Sequence, residues 1–515
     1  MEQHPASLWF LFLTCNCMSS LLNTCFLLLL LLSAWMAIVF LYWAFPGGPA
    51  WGKHGWHRTT KAKPIPGPRG MPVLGSINLM ANLAHHQLAA AAESLKAKRL
   101  MAFSLGQTRV IITSNSDVAK EILTSSAFAD RPVKESAYRL MFNKAIGFAP
   151  YGIYWRTLRR IASTHLFCPK QINNSESQRY EIAYQMMAVI GGRTREIRVR
   201  DILKQASLNN MMWWVFGRKY DLASSNDEAD ELNRLVKEGY ELLGQLNWAD
   251  HLPWLAGLDL QKIRCRCSKL IISEHRARTV SSSEHLDFVD ALLSLHGTDK
   301  LSDTNMIAVL WELIFRGTDT VAILIEWILA RMVLHPDVQS KVQKELDEVV
   351  GKSQPARESN IASMTYLQAV VKEVLRLHPP GPLLSWARLA ITDTVVDGYE
   401  VPGGTTAMVN MWAITRDPQV WPDPLKFMPE RFLADVEDFS VMGLDLRLAP
   451  FGSGRRACPG ESLGLTTVSF WVASLLHEYQ WKQSDHNPVD LSEVLGLSCE
   501  MAHPLAAKVR PRRIN

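Results

Sequence analysis

Residues 450–460, PFGSGRRACPG, place one cysteine among glycines, arginines and prolines. A cysteine acts as a metal ligand or nucleophile only as the thiolate, and nearby arginines and backbone N–H groups lower its pKa. Gly454 and Gly460 can adopt backbone angles closed to other residues, so the chain can curl around Cys458 and direct amides at its sulfur. The local chemistry therefore predicts a held thiolate.

A second group of reactive side chains lies in the apolar run 307–334, where Gly317, Asp319 and Thr320 form the pattern G-x-D-T. The run has the periodicity of a helix. A glycine there removes a side chain and can open a groove, and the acid and hydroxyl that follow can deliver protons. A polar kink in a purely structural helix is the alternative.

Arg316 precedes this glycine and shares a helix face with Thr320, four residues later. If that face lines a pocket, Arg316 could bind a substrate carboxylate. Pairing with Glu312, one turn earlier, is the favoured alternative because buried charges are usually paired. The sequence alone leaves both roles open.

Two further pairs each lie on one face of a helix. Glu373 and Arg376 are three residues apart within 366–378, and Trp155 and Arg159 are four apart within 155–160. Residues at these spacings point the same way from a helix, so each pair can act as a unit.

One motif suggests a different enzyme. GESLG, residues 460–464, satisfies G-x-S-x-G, and Asp490 and His503 follow Ser462 in the chain order of an α/β-hydrolase. That fold requires a strand, a turn and a helix around the serine in an alternating parallel sheet. Here a glycine-rich loop precedes Ser462 and the chain is mainly helical, so the hydrolase is strongly disfavoured.

Composition narrows the class of protein. The 515 residues are 48% hydrophobic, enough for a sizeable core, and the eight cysteines lack the spacing of a disulfide scaffold. Cys265 and Cys267 have no second pair at zinc spacing and are interpreted as ordinary thiols. Of 55 basic residues five lie in residues 1–69, with one of the 50 acids, so the remainder is nearly neutral and no nucleic-acid partner is expected.

An uncharged run at 21–45 predicts a membrane anchor. As a helix it would span roughly 37 Å, against about 30 Å of hydrocarbon. Basic residues follow it, so we expect a single pass with a short lumenal segment at 1–20 and a cytosolic body. A basic, proline-rich linker at 46–77 then leads to one mainly helical catalytic domain at 78–515, with a minor β portion in strands such as 109–114 and 394–405.

Three motifs together resemble a known family. Phe451, Gly454, Arg456, Cys458 and Gly460 fit F-x-x-G-x-R-x-C-x-G, and E-x-x-R, G-x-D-T and the PERF run at 429–432 stand in the family's order. The chain resembles a cytochrome P450 monooxygenase of the plant microsomal type, closest to the KLUH/PLASTOCHRON-like growth-associated group. The resemblance implies the P450 fold, with haem b between the long helix and the cysteine loop.

The resemblance also implies roles for individual residues. Cys458 would be the proximal iron ligand, Phe451 would shield its sulfur, and Gly460 would complete the loop. Asp319 and Thr320 would deliver protons. The residues expected to contact haem propionates are Trp155, Arg159, Arg388 and Arg456. The residues expected in a buried, structural ion network are Glu373, Arg376 and Arg431.

The expected reaction inserts one oxygen atom from O₂ into a small lipophilic substrate, such as a fatty-acid-like compound. Since no nucleotide or flavin site is recognisable, electrons would come from an NADPH-cytochrome P450 reductase on the endoplasmic reticulum membrane. Substrate contacts are expected in segment 133–148 and after the E-x-x-R helix, although core packing explains the same residues: Phe142, Ile146, Phe148, Leu383 and Leu384. A haem-thiolate isomerase or dehydratase and a non-enzymatic haem sensor are the alternatives.

Overall fold

The computed structural model describes residues 6–56, 63–140, 142–192, 196–222, 227–255, 261–262, 288–295, 300–384, 387–433, 439–443 and 445–512. The pair Cys265 and Cys267 lies outside these ranges. The helices are α1 Ala6–Trp43, α2 Pro49–Trp56, α3 Ala84–Ser94, α4 Ser116–Thr124, α5 Glu135–Arg139, α6 Ile153–His165, α7 Pro169–Asn174, α8 Glu176–Gly191, α9 Val199–Phe216, α10 Asp227–Gly244, α11 Trp248–His251, α12 Phe288–Leu293, α13 Asp303–Leu334, α14 Pro336–Val349, α15 Glu358–Ile361, α16 Thr365–Leu377, α17 Met411–Ile414 and α18 Glu461–Glu478.

Short strands form the minor β portion. They are β1 Met101–Leu105, β2 Thr108–Thr113, β3 Ile197–Arg198, β4 Arg388–Leu389, β5 Thr394–Val396, β6 Tyr399–Val401, β7 Thr406–Val409, β8 Tyr479–Gln483, β9 Glu493–Leu495, β10 Cys499–Met501 and β11 Ala506–Pro511. The largest sheet has the order β1-β2-β7-β4; β1 and β2 form an antiparallel hairpin, and β2 pairs in parallel with β7. The predicted hairpin at 394–405 forms β5 and β6.

The long helix α13 crosses the centre of the molecule. The Ser302 hydroxyl caps its start by accepting the N–H of Asn305 at 3.3 Å, and Pro336 begins the next helix. Most of its side chains are buried because α9, α16 and α18 surround it. Trp327 on α13 and Trp471 on α18 are 1% and 0% exposed in the largest apolar cluster. The prediction of a mainly helical fold with small sheets is confirmed.

The N-terminal helix extends further than the predicted anchor. Within α1, Leu22–Trp43 is long and apolar enough to cross a membrane, and none of that part is buried in the protein. The helix already begins at Ala6, so the boundary expected between 20 and 21 lies inside one continuous helix.

The segment after the anchor is packed rather than extended. Helix α2 lies against β1, where the Trp51 indole donates to the Phe103 carbonyl at 3.0 Å. The Trp43 indole at the end of α1 donates to the Gly70 carbonyl at 2.6 Å. A Cβ at Gly52 would lie 2.5 Å from the Tyr42 carbonyl oxygen, so only glycine permits this approach of α1 and α2. The apolar helix α1 is therefore joined to the body by specific contacts over part of the predicted linker.

Candidate active site

A cavity of about 260 Å³ separates α13 from the cysteine loop. Apolar side chains and a group of arginines line it. Among the predicted site residues, those that line it are Ile146, Trp155, Arg159, Arg316, Gly317, Thr320, Leu384, Arg388, Phe451, Arg456, Cys458 and Gly460. The fold thus brings together residues more than 300 positions apart in the chain.

The cysteine loop has a conformation that its glycines make possible. A short 3₁₀ turn at Gly454–Arg456 precedes Cys458, whose N–H donates to the Phe451 carbonyl at 3.0 Å. Gly454 has φ +68°, and a Cβ there would lie 2.2 Å from the Leu123 carbonyl oxygen. A side chain at this position would therefore push the loop away from α4.

The Cys458 side chain faces the cavity and is exposed to it. Its sulfur lies deep in the protein, and burial raises the pKa of the thiol. The N–H of Gly460 donates to the sulfur, and the charges of Arg316 and Arg159 also favour the thiolate, although burial prevails. A metal cation at the sulfur would reverse this balance, since a coordinating thiol loses its proton.

Three arginine side chains donate hydrogen bonds to carbonyl groups of the cysteine loop. Arg159 Nη1 donates to the Ala457 carbonyl at 2.9 Å. Arg388 Nη2 donates to the Ser453 carbonyl at 3.1 Å, and Arg131 Nη2 donates to the Arg456 carbonyl at 3.3 Å. Arg131 lines the cavity but was not predicted, because it lies on an irregular segment whose spacing indicates nothing about its partners.

Arg456 is fixed by backbone oxygens and by an aromatic ring. Its Nε and Nη2 donate to the Ala129 and Ala149 carbonyls at 2.9 and 2.7 Å. Its guanidinium lies 4.3 Å from the centre of the Trp155 ring, a cation–π geometry. The Trp155 indole N–H donates to the Ile146 carbonyl at 3.0 Å, so Trp155 supports the arginine rather than offering a free donor to a ligand.

Five arginines therefore surround one cavity: Arg131, Arg159, Arg316, Arg388 and Arg456. Burial and mutual repulsion lower the pKa of Arg388 to about 9 and that of Arg456 to about 10. Burying so many like charges is unfavourable unless an anion joins them. A thiol at one side and several guanidiniums around it fit haem, whose iron takes a thiolate and whose two propionates need cations.

Helix α13 presents different residues on different sides. Gly317 and Thr320 line the cavity, and the Thr320 hydroxyl donates to the Arg316 carbonyl at 3.4 Å. A Cβ on Gly317 would lie 2.3 Å from the sulfur of Met211 on α9. The missing side chain thus makes room for Met211, which itself lines the cavity.

Asp319 is not among the cavity residues. Its buried carboxylate lies 3.4 Å from the ammonium of Lys204 on α9. Burial raises the pKa of Asp319, and the Lys204 charge is the main opposing influence. Consecutive helix residues point about 100° apart, so Asp319 and Thr320 contact different surroundings, and their shared role in proton delivery stays a prediction.

The Asp319 carboxylate belongs to a chain of charges. Lys204 Nζ lies 3.3 Å from Glu500 on β10, and Glu500 lies 3.6 Å from Arg200. Arg200 in turn contacts Glu326 on α13 at 2.7 Å. The side chains of Lys204 and Glu500 are each 27% exposed, so this network links the interior of α13 to solvent.

Glu312 and Arg316, one helix turn apart on α13, both line the cavity. Both carboxylate oxygens of Glu312 accept the Gly147 N–H, at 2.9 and 3.1 Å. Burial raises the pKa of Glu312, and the Arg316 charge is the largest influence in the other direction. The attraction between the Glu312 carboxylate and the Arg316 guanidinium agrees with the predicted pairing of these two residues. The Arg316 side chain also borders the space that a substrate would enter.

The E-x-x-R residues meet away from the cavity. Arg376 donates to both oxygens of Glu373 at 2.8 Å, with both side chains fully buried. Arg431 Nε lies 3.2 Å from the same carboxylate. Arg376 also donates to the Thr415 and Pro424 carbonyls, which ties this helix to the segment before the PERF turn.

Three of the five expected substrate contacts lie elsewhere. The Phe142 ring centre lies 5.3 Å from that of Phe315 in an apolar core, to which Phe148 also belongs. Leu383 packs in another cluster beside β1 and β2. These three side chains therefore pack in the core, as the core-packing alternative predicts. Lining residues that the sequence did not single out include Asn210, Met211, Leu313, Val321, Leu463 and Thr467.

The hydrolase alternative finds no support. Ser462 is exposed near the start of α18, directly after the cysteine loop rather than after a strand. Asp490 and His503 lie 3.7 Å apart with exposed side chains. None of these three residues lines the cavity beside Cys458.

Comparisons with known proteins agree with this geometry. The family model described as Cytochrome P450 matches residues 65–501. The chain is 62% identical to cytochrome P450 78A3 of Glycine max over 520 residues, covering 98% of each, and 64% identical to cytochrome P450 78A9 of Arabidopsis thaliana over 496 residues, covering 93% and 92%. A zebra fish cytochrome P450 solved with abiraterone superimposes with a TM-score of 0.70 at 25% identity, covering 83% of this chain and 99% of that one. The resemblance indicated by the motifs is confirmed, and the chain belongs to the cytochrome P450 monooxygenase family.

Proposed function

We propose that the chain is a membrane-anchored haem-thiolate monooxygenase that hydroxylates a small lipophilic substrate of the fatty-acid-like class. The reaction would consume O₂, two electrons and two protons, place one oxygen atom in a C–H bond and release the other as water. The observation that carries the proposal is the shared cavity. The cysteine loop with Cys458 lines it, and so do Gly317 and Thr320 of α13.

Haem b is the cofactor that these residues would hold, and when bound it supplies the activation of O₂. Cys458 would ligate its iron, and the N–H of Gly460 directed at the sulfur would moderate the charge of the thiolate. Arg131, Arg159 and Arg388 would balance the propionates. Because each already donates to a carbonyl of the cysteine loop, they would also keep the loop in place.

Thr320 and the ion-pair network of Asp319 would have separate roles in proton delivery. The Thr320 hydroxyl borders the cavity and can hold a proton donor there. Asp319 lies beside it but belongs to the network that reaches partly exposed Lys204 and Glu500. Protons would therefore pass from solvent along this network to Asp319, and Thr320 would position the group that delivers them.

The cavity lining supports a mostly lipophilic substrate. Ile146, Leu313, Val321 and Leu384 are apolar, while Glu312 and Arg316 supply the polar contacts on the same side. A carboxylate near Arg316 would suit a fatty-acid-like compound. Electrons would come from an NADPH-cytochrome P450 reductase on the endoplasmic reticulum membrane, and the apolar part of α1 would anchor this chain in the same membrane.

The test uses the full chain in membranes together with the reductase, NADPH and ¹⁸O₂. Lipophilic extracts of the source tissue and a set of fatty acids serve as substrates, and mass spectrometry detects products that carry one heavy oxygen. We expect labelled products that depend on NADPH. Unlabelled products formed without NADPH would instead indicate the isomerase or dehydratase, and haem that binds carbon monoxide without any product would indicate the sensor.

A further inference from the structure

A second cluster of potential ligands does not include Cys458. His85 and His86 stand in the first turn of α3, Glu493 begins β9 and Cys499 begins β10. His85 Nε2 lies 3.2 Å and His86 Nε2 lies 3.4 Å from Glu493 Oε2. One nitrogen of His85, one carboxylate oxygen and the Cys499 sulfur all lie within 4.8 Å of one another.

We propose that this cluster binds one zinc ion through His85 Nε2, Glu493 Oε2 and Cys499 Sγ, with a water molecule as the fourth ligand. A tetrahedral zinc ion with bonds of about 2.0–2.3 Å holds its ligand atoms roughly 3.5 Å apart. His85 Nε2 and Glu493 Oε2 are already 3.2 Å apart, and the three candidate ligand atoms lie within 4.8 Å of one another, so binding would draw the sulfur closer. Thiolate, imidazole and carboxylate together are a ligand set that suits zinc better than magnesium or calcium.

The proposed ligands lie in the interior. The His85 imidazole is 0% exposed and its Nδ1 makes no hydrogen bond, and Cys499 is 4% exposed. Buried imidazole nitrogens are usually satisfied by a donor, an acceptor or a metal. His86 has a partly exposed side chain at the edge of the cluster, where its Nε2 faces the Glu493 carboxylate.

Neighbouring side chains orient the Glu493 carboxylate, as side chains around metal sites commonly orient the ligands. His378 Nδ1 lies 3.3 Å from Glu493 Oε1, and its Nε2 accepts from Arg331 Nη2 at 2.7 Å. The Trp327 ring stacks on His378 at 3.9 Å between centres. This arrangement fixes the His378 proton on Nδ1, orients the carboxylate and leaves Oε2 for the metal.

The charges of the cluster balance a divalent cation. Glu493 supplies one carboxylate and Cys499 one thiol. On binding, the Cys499 S–H bond breaks, the sulfur bonds to zinc and the proton leaves to solvent. One carboxylate and one thiolate then neutralise Zn²⁺, while the Arg416 charge nearby favours the two anions.

Zinc at this position would join the two ends of the catalytic domain. His85 and Glu493 are 408 residues apart in the chain. The His85 carbonyl accepts from the Asn410 side chain at 2.9 Å, and the Cys499 N–H donates to the Pro380 carbonyl at 2.9 Å, just after the E-x-x-R helix. The ion would therefore clamp α3 and the β9–β10 hairpin to the scaffold that carries the haem loop.

The experiment uses the full-length, haem-loaded chain, dialysed against a chelator and then titrated with Zn²⁺ alone. We expect about one zinc per haem and a zinc-edge absorption spectrum with one sulfur at about 2.3 Å and nitrogen or oxygen ligands at about 2.0–2.1 Å. Cys499→Ser should remove the sulfur shell and weaken zinc binding at least about tenfold. Cys168→Ser, a cysteine outside the cluster, should change neither.

Three results would overturn the proposal: far less than one zinc per haem, a zinc shell without sulfur, or unchanged binding in Cys499→Ser. A hydrogen-bonded cluster that needs no metal predicts the first. Each variant is checked for folding by the spectrum of its reduced, carbon monoxide-bound haem. Should Cys499→Ser not fold, Glu493→Gln replaces it, and the spectrum of the unmodified chain decides the question without any variant.

Discussion

The Asp319 carboxylate lies 3.4 Å from Lys204 Nζ, while the next residue, Thr320, borders the cavity on another side of the same helix. The two residues predicted to deliver protons therefore contact different surroundings. Asp319 is reached from solvent through Lys204 and Glu500, and Thr320 is reached from the cavity. Separate substitutions should have separate effects.

Replacing Lys204 with methionine should shift the pH dependence of turnover. Burial already raises the pKa of Asp319, and loss of the Lys204 charge would raise it further. At any given pH more of the carboxylate is then protonated, so the rate declines at a higher pH as the medium is acidified. We expect the acid limb of the kcat profile to move up by about 1 pH unit or more. Lys204→Arg keeps the charge and should keep the limb, whereas superimposable profiles for Lys204→Met and the unmodified chain would contradict the role of the network.

Replacing Thr320 with alanine should uncouple electron use from product formation. NADPH consumption should continue while the product formed per NADPH falls about tenfold or more and hydrogen peroxide is released. Thr318→Ala is the matched control, because that hydroxyl donates to the Ile314 carbonyl at 2.7 Å and is not among the cavity residues. Equal coupling in the two variants would remove the proposed role of the Thr320 hydroxyl.

Removing Arg376 should destabilise the protein without any direct effect on the cavity. Arg376→Met leaves the fully buried Glu373 with Arg431 as its remaining cation, and we expect a loss of about 3–5 kcal/mol in the free energy of unfolding. Denaturant unfolding of the haem-loaded chain measures it. Lys344→Met breaks an exposed pair with Glu348 and should cost no more than about 0.5 kcal/mol. A similar small loss for both variants would argue against a structural role for the E-x-x-R pair.

Replacing Gly454 with alanine should disrupt the cysteine loop. The new methyl group would lie 2.2 Å from the Leu123 carbonyl oxygen, and the backbone angle of +68° is unfavourable for alanine. We expect a large loss of haem incorporation per chain, measured by absorbance. Gly152→Ala is the control, since a Cβ there meets nothing within 4 Å and its φ of 179° suits any residue. Full haem content in Gly454→Ala would show that the loop tolerates a side chain.

Local patterns predicted much of the site. The motif around Cys458 depends on residues close in the chain, and the E-x-x-R spacing fixes Glu373 and Arg376 on one helix face. Helices α13 and α16 were predicted within a few residues because their apolar periodicity is long and regular. The family follows from such motifs since each is short and self-contained.

Relationships set by tertiary packing were not predictable in this way. The direction of Asp319 depends on Lys204 of α9, and the inward position of Phe142 depends on Phe315. Arg131 reaches the cavity from an irregular segment. The cluster of His85, Glu493 and Cys499 joins residues from both ends of the domain, so no spacing between cysteines could indicate it. One sequence alone does not indicate which distant residues come into contact in the folded protein.

The most direct test of the account is the absorption spectrum of the reduced protein under carbon monoxide, compared between the unmodified chain and Cys458→Ser. Thiolate ligation gives a characteristic red-shifted Soret band. We expect the unmodified chain and Cys168→Ser to show this band and Cys458→Ser to lack it. Absence of the band from the unmodified chain, or its persistence in Cys458→Ser, would contradict the central claim that Cys458 holds the haem iron.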